Sequence, residues 1–428
     1  MLIQRDFLIA SNPIVNINSI QLFFLFVLAI TALRLWLTMR QIAHVTAHRD
    51  QVPQRFAARI TLDEHQKAAD YTVVKNHLAL IQAVVETGLL LAFTLGGLLD
   101  ACAQLPLRWF AEGGYAYGLA LFAVFGLIGF VVDLPLSLYR TFVVDARFGF
   151  NKTTPALYLT DLLKQTLLAV LIGAPLLFVV LWLMAQMGEH WWLWVWLFWI
   201  GFSLVIQLLF PTLIAPLFNK FTPLADDTLR ARIDALLARC GFRSSGVFVM
   251  DGSKRSTQGN AYFTGFGAAK RIVFFDTLIE RLQPAEIEAV LAHELGHFKL
   301  RHVWKGIAAT WLLSLGLLWL LGVLMTQPWF YMTLGVHHPG TAMALILFML
   351  VLPVALFPLS PLLSAFSRRH EYEADTFAAR QTNASDMVTA LVKLYRDNAS
   401  TLTPDPLHSL FHDSHPPASL RIARLETV

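Results

Sequence analysis

Charge is the scarcest ingredient of this chain. Lys, Arg, Asp and Glu supply 14% of its 428 residues, where soluble globular chains run near 25%. Hydrophobic residues supply 56% and the mean hydropathy is +0.56. The shortage excludes an ordinary soluble domain and points to a multi-pass membrane protein. Cysteine is almost missing too. Cys102 and Cys240 stand far apart with no C-x-x-C, which argues against a disulfide framework and a thiolate metal site. The net charge of +4 is small, and its distribution points to membrane orientation rather than nucleic acid. Residues 1–17, MLIQRDFLIASNPIVNI, lack a basic start, a continuous apolar core and a small-residue cleavage site, so no cleavable signal peptide is expected. The sequence ends ETV, so no prenylation box of its own is expected.

What is present is a series of apolar runs. A spanning helix needs about 20 mainly apolar residues. Seven runs qualify, starting near Ile20, Leu78, Tyr117, Leu167, Trp191, Ala308 and Ala342, more than one soluble core can use. Lys and Arg fall unevenly between them. Arg40, Arg49, Arg55, Arg59, Lys67 and Lys75 follow the first run, and Arg108 alone follows the second. Arg140, Arg147 and Lys152 follow the third, and none follows the fourth or sixth. Segment 217–305 is rich in both, and Arg368 and Arg369 follow the seventh. By the positive-inside rule the N-terminus lies outside, and segment 217–305 and the C-terminus are cytoplasmic. Glu86 and Asp133 sit within spans, where ionisable groups usually face a cavity or a partner. Glu86 is expected to face a wet interior, and Asp133 either that or water near a helix end.

Segment 217–305 is not membrane-like. Thr228–Cys240 reads as an amphipathic helix with Leu229, Ile233, Leu236 and Leu237 on one face. Val247–Met250, Asn260–Thr264 and Arg271–Phe275 read as strands of a small sheet. Pro284 opens a helix that carries H-E-x-x-H as His293, Glu294 and His297. Residues four apart share a helical face, so both imidazoles reach one Zn²⁺, and Glu294 beside them can act as general base. A third protein ligand is required. His302 lies well round a continuous helix from His297 and reads as a surface or supporting histidine.

The other candidate ligands stand in SRRHEYEAD, residues 367–375. On a helix Glu371 and Asp375 share a face and Glu373 points away. One carboxylate can bind zinc while the other accepts a hydrogen bond from a ligand histidine. A solvated acidic face balancing Arg368 and Arg369 fits the pattern equally.

The chain resembles the type I CAAX prenyl endopeptidases, zinc-dependent membrane gluzincins. The motifs that carry the resemblance span nearly the whole sequence. They are DLPLSLYRTFVVDARFGFNKTTP (133–155), FNKFTPL (218–224), DGSKRSTQGNAYFTGFGAAKRIVFFDTLI (251–279), AHELGHFKLRH (292–302), SRRHEYEADTFA (367–378) and SHPPASLRI (414–422). The resemblance implies an all-α-dominated multi-pass membrane protein. Seven transmembrane helices would enclose a water-filled chamber, with a small α+β metalloprotease domain on the cytoplasmic side. Four segments follow: 1–216 with spans one to five, 217–305 with H-E-x-x-H, 306–366 with spans six and seven, and 367–428 completing the site.

Residue by residue, the resemblance implies His293, His297 and Glu371 as ligands of one Zn²⁺ per chain and Glu294 as catalytic base. It implies Asp375 as support for a ligand histidine, and His415 and Arg421 as oxyanion stabilisers. Asn260, Ala261 and Tyr262 would pair with the substrate. The expected partners are the lipid bilayer and a peptide or protein, prenylated or not, with no nucleic acid and a monomeric chain. Without an evident ER-retrieval tail, a bacterial inner-membrane protein is expected, with proteolytic quality control of membrane proteins as a second role. A transporter or assembly protein with a vestigial zinc site is the alternative, distinguished by metal content and chelator-sensitive cleavage. A site-two-type protease would carry its motif inside a span, paired with a distant Asp-Gly.

Overall fold

The computed structural model describes residues 13–264 and 271–427. Among these are seven helical segments long and apolar enough to cross a membrane, as expected from the seven apolar runs. Their main helices are α1 (Pro13–Ala47), α2 (Leu62–Phe93), α3 (Tyr115–Tyr139), α4 (Pro155–Gln186) and α5 (Trp191–Leu209), then α8 (His302–Leu324) and α9 (Thr341–Leu356). The last continues through a short 3₁₀ turn into α10 (Ser360–Gln381), which leaves the apolar zone carrying the acidic stretch. Several helices run past their apolar runs. α2 begins at Leu62, where Thr61 and Glu64 form a reciprocal capping box, well before the run at Leu78.

Between spans five and six lies a compact α+β unit. It comprises β1 (Phe221–Pro223), α6 (Asp227–Cys240), β2 (Val247–Met250), β3 (Ala261–Thr264), β4 (Arg271–Phe275) and α7 (Pro284–Lys299). The sheet order is β1-β2-β4-β3, with β2 parallel to β4 and the other pairs antiparallel. Among the described residues β3 is therefore an edge strand paired only with β4, the position at which a sheet can accept an added strand. The apolar face of α6 is buried through Leu229, Ile233, Leu236 and Leu237. These pack with Ile272 and Phe274 of the sheet, Ile287 and Leu291 of α7, and residues of the C-terminal helices α11 (Ala384–Asp397) and α12 (Ala418–Leu425). Segments 217–305 and 367–428 thus share one core. α7 is not among the described segments long and apolar enough to cross a membrane.

Ion pairs tie this unit to the spans. The Arg255 guanidinium donates to both Asp161 oxygens, at 2.7 and 2.9 Å, and to Asn219 Oδ1 and Phe218 O. Arg40 at the end of α1 donates to the buried Asp405. Within the spans, Glu86 has a partner that the sequence reading did not pair with it. Arg34 Nη2 on α1 donates to Glu86 Oε2 at 2.8 Å, and Gln82 Nε2 donates to Glu86 Oε1. Both ends of this pair are partly accessible. An ion pair facing hydrocarbon is costly, so this one fits a wet interior. Asp133 lines a cavity of about 350 Å³ between α3 and α4 with Ser137, Thr141 and Tyr158.

Candidate metal centre and its cavity

α7 starts where the sequence reading placed it, with Pro284 in the first turn and the Glu286 carboxylate accepting from Gln283 N–H. Its C-terminal half carries His293, Glu294 and His297. α10 crosses it closely. A Cβ on Gly296 would stand 3.1 Å from Ala374 Cα and 3.2 Å from Phe377 Cβ. Gly296, between Glu294 and His297, is what lets the backbone carrying Glu371 come near.

The consequence is one convergent donor set. His293, His297 and Glu371 are the described group whose ligand atoms lie mutually within 4.8 Å. His293 Nε2 is 3.2 Å from His297 Nε2. Glu371 Oε2 is 3.4 Å from His293 Nε2, and Oε1 is 3.4 Å from His297 Nε2. Zinc bonds of about 2.0–2.1 Å set a tetrahedral edge of roughly 3.3 Å, close to the separation of the two imidazoles and of each imidazole from one Glu371 oxygen. Glu371 Oε2 is also buried with no hydrogen-bond partner, a cost that metal ligation would remove. The residues present fit zinc.

Behind the donors stand their supports. His293 Nδ1 lies 2.9 Å from Asp375 Oδ1, which turns Nε2 toward the metal position. Burial opposes charge on His293, but the Asp375 and Glu371 carboxylates outweigh it and raise its pKa to about 9 in the metal-free chain. Asp375 in turn accepts from Arg421 Nε at 2.8 Å and Nη2 at 2.6 Å. Arg421 is buried, and its Nη1 lies 3.7 Å from Glu371 Oε2.

The centre opens on a cavity of about 1050 Å³ lined by His293, Glu294, His297, Glu371 and His415. Glu294 reaches it with no hydrogen-bond partner among the described residues, and burial raises its pKa against the pull of His293 and His297. His415 is half exposed there, its Nε2 3.4 Å from Glu371 Oε1, with the Ser414 hydroxyl 2.9 Å from its Nδ1. Arg421 is absent from the cavity wall. Of the three expected strand residues, Tyr262 lines the cavity and Asn260 and Ala261 do not, whereas Phe263 and Thr264 do. Asn260 Oδ1 instead accepts from Ala261 N–H. Sequence reasoning did not place Ile206, Phe210, Phe298 or Trp304 on this wall. Ile206 and Phe210 fall in the fifth apolar run and Phe298 and Trp304 in segment 217–305, and nothing in their spacing marks them. It also took Glu373 as pointing away. Glu373 does face away from the metal, but onto the buried His302, 3.0 Å from its Nε2.

Comparison with known proteins shows the family of the chain. A family profile described as "Peptidase family M48" matches residues 223–428. A second, "CAAX prenyl protease N-terminal, five membrane helices", matches residues 41–220. The chain is 34% identical over 386 residues to the CAAX prenyl protease 1 homolog of Arabidopsis thaliana, covering 88% of this chain and 90% of that one. It is 36% identical over 344 residues to CAAX prenyl protease 1 of Saccharomyces cerevisiae, covering 76% of each. The crystal structure of S. mikatae Ste24p matches with a TM-score of 0.87 at 30% identity, over 95% of this chain and 98% of that one. These relatives are eukaryotic, so the expectation of a bacterial inner-membrane protein is not borne out.

Proposed function

From a chain that belongs to the M48 peptidase family and is a membrane zinc metalloendopeptidase of the CAAX protease type, we propose a specific site and substrate class. His293, His297 and Glu371 hold the zinc, and the substrates are membrane-anchored polypeptides, with cleavage after a prenylated cysteine as the characteristic reaction. The observation that carries this reading is the convergence of His293, His297 and Glu371 at the spacing of a zinc site, beside a Glu294 with no hydrogen-bond partner among the described residues.

Bound zinc supplies Lewis acidity, which polarises a scissile carbonyl and acidifies water. Glu294 takes a proton from the attacking water and returns it to the leaving amine. His415, with Nδ1 accepting from Ser414, presents Nε2–H to the carbonyl oxygen as negative charge grows there. Arg421 was expected beside it as an oxyanion donor. Its bidentate commitment to Asp375 favours another role, holding the carboxylate that orients His293. The substrate lies extended along the free edge of β3, past Tyr262, Phe263 and Thr264. The ligands come from segments 217–305 and 367–428, with the flanking spans as the frame. Lys and Arg distribution supports a cytoplasmic site and an outside N-terminus. The chain acts as a monomer in the bilayer.

The test is substrate capture with Glu294→Gln in cells, followed by mass spectrometry. Prenylated C-terminal segments among the trapped polypeptides support the reading. A trapped set made up only of unprenylated membrane proteins removes the CAAX assignment and leaves quality control.

A further inference from the structure

Among the described residues His297 has no carboxylate behind its Nδ1, unlike His293. Its Nδ1 faces His302 Nδ1 at 3.2 Å, and His302 Nε2 faces Glu373 Oε2 at 3.0 Å. Arg369 Nε donates to the other Glu373 oxygen at 3.0 Å. His302 is 4% exposed and stacks on the His370 ring at 4.0 Å and 9°. On a continuous helix a residue five positions after His297 would point well away from it. The chain is not continuous here. α7 ends at Lys299, and Arg301 has φ 59° and ψ 29°. This left-handed conformation is unfavourable for a residue with a side chain. It restarts the helix so that His302 turns back onto His297.

One proton arrangement satisfies every contact. A zinc ligand bound through Nε2 carries its proton on Nδ1, so His297 Nδ1–H donates to His302 Nδ1. His302 then carries its proton on Nε2 and donates to the Glu373 carboxylate. We propose that His302, anchored by Glu373, is a positioning residue for zinc: it fixes the tautomer and ring plane of His297 as Asp375 does for His293. The centre then has two independent supports, Arg421–Asp375 behind one histidine and Arg369–Glu373–His302 behind the other. The inference rests on His297 being a zinc ligand.

The test measures zinc affinity by competition with a chromophoric chelator, and the visible spectrum of the Co²⁺-loaded protein. His302→Phe keeps a ring to stack on His370 but has no acceptor for His297 Nδ1–H. His302→Asn places an amide oxygen near the former Nδ1. Glu373→Ala removes the anchor, and Glu373→Gln keeps an acceptor. Loss of a ligand-orienting partner typically costs about 10–100-fold in metal affinity. The expected result is a loss of that order with an altered Co²⁺ spectrum for His302→Phe and Glu373→Ala, and partial recovery in His302→Asn and Glu373→Gln. Wild-type affinity and spectrum in His302→Phe overturn the proposal. If His302→Phe does not fold, the contrast between Glu373→Ala and Glu373→Gln at a half-exposed position decides, and equal affinities there overturn it. His297→Ala is the control. Unchanged zinc binding in that variant overturns the ligand assignment itself, whereas its loss beside an unaffected His302→Phe overturns only the positioning role.

Discussion

His293, Glu294 and His297 occupy little more than one turn of α7, and their division of labour follows from the angle between them. The two imidazoles meet at 3.2 Å with Glu371 3.4 Å from each, while Glu294 stands on the cavity wall. On the proposed assignment, Glu371→Ala removes a ligand and should abolish stoichiometric zinc. Asp375→Ala keeps all three ligands but frees both His293 and Arg421. Its zinc affinity should fall about 10–100-fold, as metal titration of the purified variants will show. His293 adds a pH signature. Its pKa of about 9 in the metal-free chain means it is charged at neutral pH, and a ligand must be neutral. Zinc uptake below pH 9 therefore expels a proton, and affinity should weaken by up to tenfold per pH unit from this group as pH falls. Calorimetry in buffers of different ionisation enthalpy at pH 7 measures that proton. Its absence contradicts the Asp375–His293 arrangement.

Among the elements, α7 and α10 decide whether the site exists. Their crossing is close because Gly296 has no Cβ to push Ala374 away. Gly296→Ala should separate the helices by a few tenths of an ångström, cost about 1–3 kcal/mol in stability and weaken zinc binding. Thermal unfolding and zinc titration read both, and an unchanged midpoint with unchanged affinity contradicts the close-packing account. The start of α7 and the buried face of α6 were legible in the sequence, whereas the end of α7 at Lys299 and the extent of α10 were not. Pro284 marks the start of α7, and spacing of three and four gives the buried face of α6. The Glu371–Asp375 pairing was legible only as one of two alternatives until the resemblance favoured metal. The Glu373–His302 contact was illegible, because it depends on a left-handed Arg301 that no residue preference announces. β1 was missed as well, being three residues held mainly by pairing with β2.

For the whole molecule, composition alone gave a membrane protein, since charge is too scarce for a soluble one and the apolar runs are long enough to span. The Arg34–Glu86 pair was not legible, because pairing across α1 and α2 depends on helix rotation rather than on either run. Orientation rests on the loop charges. Cys102 and Cys240 are buried, so new single cysteines can report it. In sealed membrane vesicles with the cytoplasmic face outward, Asp234→Cys on α6 should react with a membrane-impermeant thiol reagent. Glu189→Cys, between spans four and five, should react only after permeabilisation. The opposite pattern reverses the assignment.

The central claim is that one zinc centre built on α7 and α10 performs peptide hydrolysis with Glu294 as base. Its most direct test is zinc content and cleavage of a prenylated C-terminal peptide by purified wild-type and Glu294→Gln protein. The account predicts one zinc per chain in both, chelator-sensitive cleavage in the wild type, and a loss of at least about 10²-fold in the variant. Undiminished cleavage by a zinc-loaded Glu294→Gln protein would contradict it.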